Sequence, residues 1–261
     1  MNNTILDIRN LHKSFGGQAV LRGVTIGIER KKITVILGKS GAGKSVLFKN
    51  IIGLQRPEQG EIFYEGRDVV KMREQELIAM RRDIGYLFQE AALFDSLTVA
   101  ENVAFPLVEM LGWRDRAKIA AQVSEMLDIV GLPESGHKYP AELSGGMRKR
   151  AGLARALATN PKIVLFDEPT TGLDPILSAS IDELILKVNR QLGVTCLIIS
   201  HDIQAAFHIA DTVAFLHEGR IEVQGPPVAV RQSEHPLFKL FLEQATCPDM
   251  ERIKRGENHD A

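Results

Sequence analysis

The eight residues GKSGAGKS, at 38–45, space glycines, a lysine and a serine in a pattern able to hold a phosphate. The apolar run ITVIL precedes them and VLFKNIIGL follows, so a strand should deliver the loop and a helix should leave it. Glycines let the backbone wrap an anion closely, with several N–H groups turned inward. Gly38, Lys39, Ser40, Gly41, Ala42, Gly43, Lys44 and Ser45 are therefore candidate nucleotide contacts. Lys44 offers a point charge to the β- and γ-phosphates, and the Ser45 hydroxyl offers a ligand to Mg²⁺. The bland alternative is a glycine turn with a surface lysine, which the strand–loop–helix setting disfavours. Alone, the loop predicts nucleoside triphosphate binding without choosing among kinases, GTPases and motor ATPases.

A second signal is KIVLFDEP, 162–169, an apolar strand ending in two acids. A buried strand places its last residues at the carboxyl edge of a parallel sheet, where ligands bind. Asp167 suits the Mg²⁺ shell, and Glu168 suits orienting or deprotonating an attacking water. A strand ending in a solvated turn would look similar, but beside a phosphate loop the pair points to hydrolysis. A small-molecule kinase needs no base for water, so Glu168 favours an ATPase. His201 follows the strand VTCLIIS and should emerge at the same edge, able to donate a hydrogen bond to the γ-phosphate. Gln89 ends IGYLFQ; its amide could reach Mg²⁺ or the lytic water, or be only a polar strand end.

A third stretch, ELSGGMRKRAGLARALA at 142–158, reads as two glycines opening a basic amphipathic helix. The free N–H groups and positive dipole of such a start make another anion site. One nucleotide has no evident use for two phosphate loops so far apart in one chain.

The elements that must position these residues can be read coarsely. Residues 4–37 are β-rich, with turns at Gly16-Gly17 and at 29–32; GEIFYEG adds a strand. From Ser96 to about Val130 the pattern is helical, broken by Pro106 and by LGWRD. Beyond the glycine-led helix, strands and helices alternate, closing in a hairpin at Glu218-Gly219. Alternation of this kind implies parallel strands with crossover helices. The chain has 261 residues, 32 basic and 33 acidic, so its balanced charge gives no electrostatic reason to expect nucleic acid. Cys196 and Cys247 cannot form a disulfide framework, and Cys196 lies in an apolar run that suits a core. The first residues lack the regions of a signal peptide, and no apolar run approaches bilayer length, so the chain is read as cytoplasmic and soluble by itself.

GKSGAGKS, Gln89, LSGGM, VLFDEP, GLD and His201 stand in the order found in the ATP-binding subunits of ABC transporters, and the sequence resembles that family from about residue 5 to 240. The resemblance implies an α/β fold: a phosphate-loop ATPase core of mainly parallel strands, an N-terminal antiparallel β subdomain and an inserted helical subdomain. It implies one cassette over 4–243, with core and β subdomain in 4–89 and 159–225, the helical subdomain in 90–158, and a tail at 244–261. It also implies head-to-tail pairing of two copies with ATP and Mg²⁺. The loop of one copy would hold ATP while Ser144, Gly145 and Gly146 of the other cover its γ-phosphate. Asp174 would lie at the dimer seam, Gln89 would link nucleotide to permease, and Phe15 would stack on adenine. The family's usual glutamine after LSGG is here Met147, which keeps the backbone donors and Ser144 but loses a polar side chain.

The stretch QEAALFDSLTVAENVAFPL (89–107), with LSGGM, resembles a narrower group, the ATPases of Mce-type lipid transporters of Gram-negative bacteria. That implies a peripheral subunit on the cytoplasmic face of the inner membrane. Its partners would be an integral permease, a periplasmic Mce-domain protein and a small cytoplasmic accessory protein, with phospholipid as cargo. From the residues alone, the apolar set Ala91, Ala92, Leu93, Phe94, Val103, Phe105 and Leu107 is either a groove for a permease helix or subdomain core. The phospholipid reading leads; the cassette motifs do not exclude an amino-acid or other solute importer, and a soluble cassette protein of DNA repair or translation is a third reading.

Overall fold

The computed structural model describes residues 3–246. Strands β3 (Ile33–Leu37), β7 (Ile163–Asp167) and β8 (Thr195–Ser200) are buried at every position except Asp167. Such unbroken apolar runs require cover on both faces of the sheet. Alternate residues supply it. Ile33, Val35, Leu37, Val164, Phe166, Cys196 and Ile198 enter one hydrophobic cluster, while Ile36, Ile163, Leu165, Leu197 and Ile199 enter another.

These strands form a six-stranded sheet with β6 (Ile84–Leu87), β9 (Thr212–His217) and β10 (Arg220–Gly225), in the order β10-β9-β3-β8-β7-β6. All neighbours are parallel except β10 and β9, which join through a tight turn at Glu218 (φ 43°) and Gly219 (φ 79°). Both central turn residues are left-handed, as a two-residue hairpin of this twist requires. A second, antiparallel sheet, β2-β1-β4-β5, is built from β1 (Thr4–Phe15), β2 (Gln18–Glu29), β4 (Gln59–Tyr64) and β5 (Arg67–Asp68). It covers one face of the central sheet together with α1 (Lys44–Ile51) and α2 (Glu74–Arg81).

The opposite face is covered by α3 (Val99–Glu109), α4 (Arg116–Ile129), α5 (Gly145–Leu157), α6 (Pro175–Leu192) and α7 (Ile203–Ile209). α5 packs on β6 as well as on α3 and α4, so one cluster runs from the helical segment into the sheet. Two short helices follow, α8 (Pro227–Arg231) and α9 (Pro236–Thr246).

Two expectations need correction. Pro106 does not break the helical segment, because α3 runs through it. Proline removes one backbone donor, and two devices offset that loss. Thr98 and Glu101 form a reciprocal cap at the start of α3. Asn102, wholly buried, binds the Phe94 N–H and the carbonyls of Phe94, Leu97 and Thr98. The break at LGWRD does occur, with Asp115 capping α4. Strand β6 ends at Leu87, so Gln89 lies in the following turn rather than at the strand's end. α9 continues to Thr246, into the tail expected over 244–261; residues 247–261, Cys247 among them, lie outside the described residues. Cys196 is a free, buried thiol, pushed up from its ordinary pKa by burial. Among the described residues no helix is long and apolar enough to cross a membrane.

Asn102→Ala strips four hydrogen bonds from a buried site, and a loss of about 2–3 kcal/mol is expected. A thermal midpoint lower by roughly 5–10 °C would show it, and an unchanged midpoint would contradict the anchoring role.

Candidate functional site

Parallel neighbours bring their carboxyl ends to one edge. Leu37 pairs with Ser200, Asp167 with Ile199, and Phe166 with Leu87. The chain therefore leaves the sheet beside itself four times, into Gly38, the turn that carries Gln89, Glu168 and His201. This is the edge at which open α/β sheets bind ligands.

The phosphate loop is held tightly. The Gly38 N–H donates to the Ser200 carbonyl at 3.3 Å, and a Cβ at Gly38 would stand 2.5 Å from the Leu216 carbonyl oxygen. Gly43 adopts φ 104°, with a Cβ position 2.9 Å from Leu21 Cδ2. No side chain caps α1, so its first N–H groups are left to an anion.

Lys44 is 7% exposed. Its Nζ reaches the carbonyls of Gly38 (2.5 Å) and Lys39 (3.2 Å) and Glu168 Oε1 (3.1 Å). Glu168 Oε2 accepts from Thr171 Oγ1 at 3.1 Å and from His201 Nδ1 at 2.6 Å. A carboxylate only accepts, so Nδ1 carries the proton and the second ring nitrogen is left for another partner. Burial pushes the Glu168 carboxyl up, but the charges and hydrogen bonds of Lys44 and His201 outweigh it and hold the group below its ordinary range. Glu168 is thus ionised at neutral pH and better suited to fixing and polarising a water than to holding its proton. Its backbone is left-handed, φ 50°, a strained conformation for a non-glycine residue, with its N–H on the Ile199 carbonyl.

Asp167 behaves differently. Burial pushes its carboxyl up, opposed by the Tyr86 hydroxyl, which donates to Oδ2 at 3.1 Å. Asp167, the Ser45 hydroxyl and the Gln89 amide would offer an all-oxygen donor set, the kind Mg²⁺ prefers, leaving other positions to phosphate oxygens and water. The residues present fit that ion.

The other candidates have partners of their own. Ser144 caps α5 by accepting from the Met147 N–H at 3.3 Å, and Cβ positions at Gly145 and Gly146 would meet Leu173 and Leu177 at 3.4 and 3.5 Å. Asp174 caps α6, accepting from the Ile176 and Leu177 N–H groups. Phe15 stands 45% exposed at the end of β1, with Lys13 Nζ 5.2 Å from its ring centre. Lys39 donates to Gln244 of α9. Ser40, Gly41 and Ala42 complete the loop, with Gly41 at φ 80°.

Sequence reasoning missed Tyr86, Thr171 and Lys149. Lys149, 6% exposed in α5, donates to the Gln89 carbonyl and lies 3.5 Å from the Glu168 carbonyl. Its signal was a lysine on the apolar face of a helix, in line with Gly146, Leu153 and Ala156.

A family model for ABC transporters matches residues 21–171. This chain belongs to that family. It is 41% identical over 237 residues to the probable ribonucleotide transport ATP-binding protein mkl of Mycobacterium leprae, covering 91% of this chain and 68% of that one. It is 43% identical over 222 residues to the methionine import ATP-binding protein MetN of Mesorhizobium japonicum, covering 85% and 60%. The chain thus spans about two thirds of the length of these curated relatives. Among solved structures it resembles cbiO1 from Clostridium perfringens, part of the ABC transporter complex cbiONQ (TM-score 0.83, 30% identity, 97% and 100% covered). It also resembles the dimeric post-hydrolysis state of the ATP-binding cassette MJ0796 bound to ADP and Pi (TM-score 0.77, 32% identity, 85% and 98% covered). The cassette is an ATPase fold, and the antiparallel sheet beside a mainly parallel one agrees with both neighbours.

Lys44→Ala removes the one buried ammonium of the phosphate loop. ATP affinity should fall by about 100-fold or more, since a charge-assisted contact to phosphate is lost from a dry site. Equilibrium binding of a fluorescent ATP analogue checks this, and retained affinity would undo the assignment of the loop.

Proposed function

We propose that this chain is the ATP-hydrolysing subunit of a membrane transporter. It would work as a pair, with ATP held between Gly38–Ser45 of one copy and Ser144–Gly146 of the other. The observation that carries this reading is the split within one chain. Lys44, Glu168 and His201 share one cluster, whereas the glycine start of α5 packs beside Leu173 and Leu177. Next to that start, Ile176 is 82% exposed and Leu177 38% exposed, an apolar rim suited to cover by a second copy. A triphosphate would compete with Glu168 for Lys44, leaving the carboxylate on His201 and Thr171 to orient water. Asp167, Ser45 and Gln89 would hold Mg²⁺, which neutralises charge on the phosphate oxygens during transfer. Phe15 is the proposed support for adenine, and Asp174 the proposed residue at the seam between copies.

A groove of ≈ 350 Å³, lined by Tyr86, Phe88, Phe94, Phe105, Pro106 and Arg155 among others, opens beside the turn that carries Gln89. Phe94 and Phe105 are exposed and in contact, with ring centres 4.7 Å apart, whereas Ala91, Val103 and Leu107 are buried. The apolar set is thus divided between groove and core, and the groove suits an amphipathic helix of a permease. For cargo, the run 89–107 and Met147 support phospholipid, moved with an Mce-domain partner at the inner membrane and a small accessory protein. The names of the relatives, ribonucleotide and methionine transport proteins, support a second reading as a solute-importer ATPase.

Purification of the tagged full chain from its native membrane separates these readings. Co-purifying permease, Mce-domain protein and bound phospholipid are expected. A permease accompanied by a solute-binding protein, with no enrichment of lipid, would overturn the lipid reading and favour the importer. Glu168→Gln should bind ATP while losing about 100-fold or more in turnover, and unchanged turnover would refute the role of Glu168.

A further inference from the structure

We propose that Lys149 is a positioning residue that fixes Glu168 relative to the turn carrying Gln89, so that the rate of hydrolysis depends on the shape of residues 88–94. The inference rests on the reading of Glu168 as the residue that orients water. Lys149 lies one turn into α5 and is 6% exposed. Burial pulls its ammonium down from the ordinary range, against the carboxylates of Glu90, Asp167 and Glu168. A charge is seldom placed in such a site unless it is fully used. Both of its partners are backbone carbonyls, those of Gln89 and Glu168, 79 residues apart in sequence (168 − 89).

The same face of α5 holds the rest of the segment. Six residues on, Arg155 donates to the carbonyls of Ala91 and Ala92, both at 2.7 Å. Between the two cations, Gly152 sits so close that a Cβ would meet Ala91 Cβ and Leu87 Cδ1 at 3.0 Å each. Positions 149, 152 and 155 follow the spacing of one helix face. Ala91 and Ala92 are both left-handed, φ 60° and 48°, a conformation that alanine adopts only when its surroundings impose it. Phe88, Ala92 and Phe94 of this segment line the groove. A shift of the segment therefore moves the Gln89 carbonyl, and Lys149 carries that shift to the backbone of Glu168, itself held at φ 50°. The cation joins two strained turns, one beside the groove and one at the reacting centre.

The test uses the full chain with steady-state ATPase assays, counting competent sites by titration with a fluorescent ATP analogue. Lys149→Met should lower kcat per competent site by about tenfold or more and leave KM within about twofold, because orientation of water is lost while ATP contacts remain. Lys149→Arg should recover most of the rate, since an arginine can serve two carbonyls as Arg155 does. Should Lys149→Met fail to fold, Lys149→Gln keeps amide donors on a shorter arm, and the same loss of kcat at constant KM is expected of it. Wild-type kcat per site in the methionine or glutamine variant would overturn the proposal. A rise in KM alone, or an arginine variant no better than methionine, would do the same. Glu168→Gln is run alongside. If it hydrolyses ATP normally, the reading of Glu168 fails; if it is inactive while Lys149→Met is normal, only the role of Lys149 fails.

Discussion

The carboxylate of Glu168 is the point on which the site depends. An ammonium, an imidazole and a hydroxyl converge on it within 3.1 Å, and the ammonium and imidazole hold it charged despite its burial. Burial acts the other way and disfavours the charged form on which orientation of water would depend. Each of the three donors is delivered by a different segment, after β3, β8 and β7. The arrangement exists only because those strands are parallel neighbours in register. Sheet topology is therefore the constraint, and the electrostatics of the site follow from it.

That topology in turn needs a sheet covered twice. The antiparallel sheet with α1 and α2 covers one face, and α3 to α7 cover the other. The helical layer also positions chemistry. α5 begins at the glycines proposed to meet a second nucleotide and continues past Gln89 through Lys149 and past Ala91 and Ala92 through Arg155. One helix thus touches the proposed partner-facing loop, the turn beside the groove and the backbone of Glu168. Tyr86 adds a second connection, donating to Asp167 while lining the groove.

Much of this was legible in the sequence because the phosphate loop, Glu168 and His201 each follow an apolar strand. ITVIL leads to Gly38, KIVLFDE to Glu168 and VTCLIIS to His201, and parallel pairing then brings them together. Gln89 was placed less well, since β6 stops two residues short and a turn carries the glutamine. Contacts set by helix packing were not legible. Lys149 reads as one more charge in a basic helix until α5 is laid on β6, and Thr171 reads as a turn residue. Pro106 misled because the side-chain anchor of Asn102, which helps the helix persist, leaves no trace in periodicity. The contact between Lys39 and Gln244 joins residues 205 apart and could not be anticipated.

If a single chain supplies only half of each nucleotide pocket, then ATP itself must hold two copies together for as long as it is not hydrolysed. Sedimentation of Glu168→Gln with and without Mg-ATP tests that directly. The account predicts a monomer without nucleotide and a dimer containing two ATP molecules with it. A protein that binds ATP stoichiometrically yet sediments as a monomer at every concentration would contradict it.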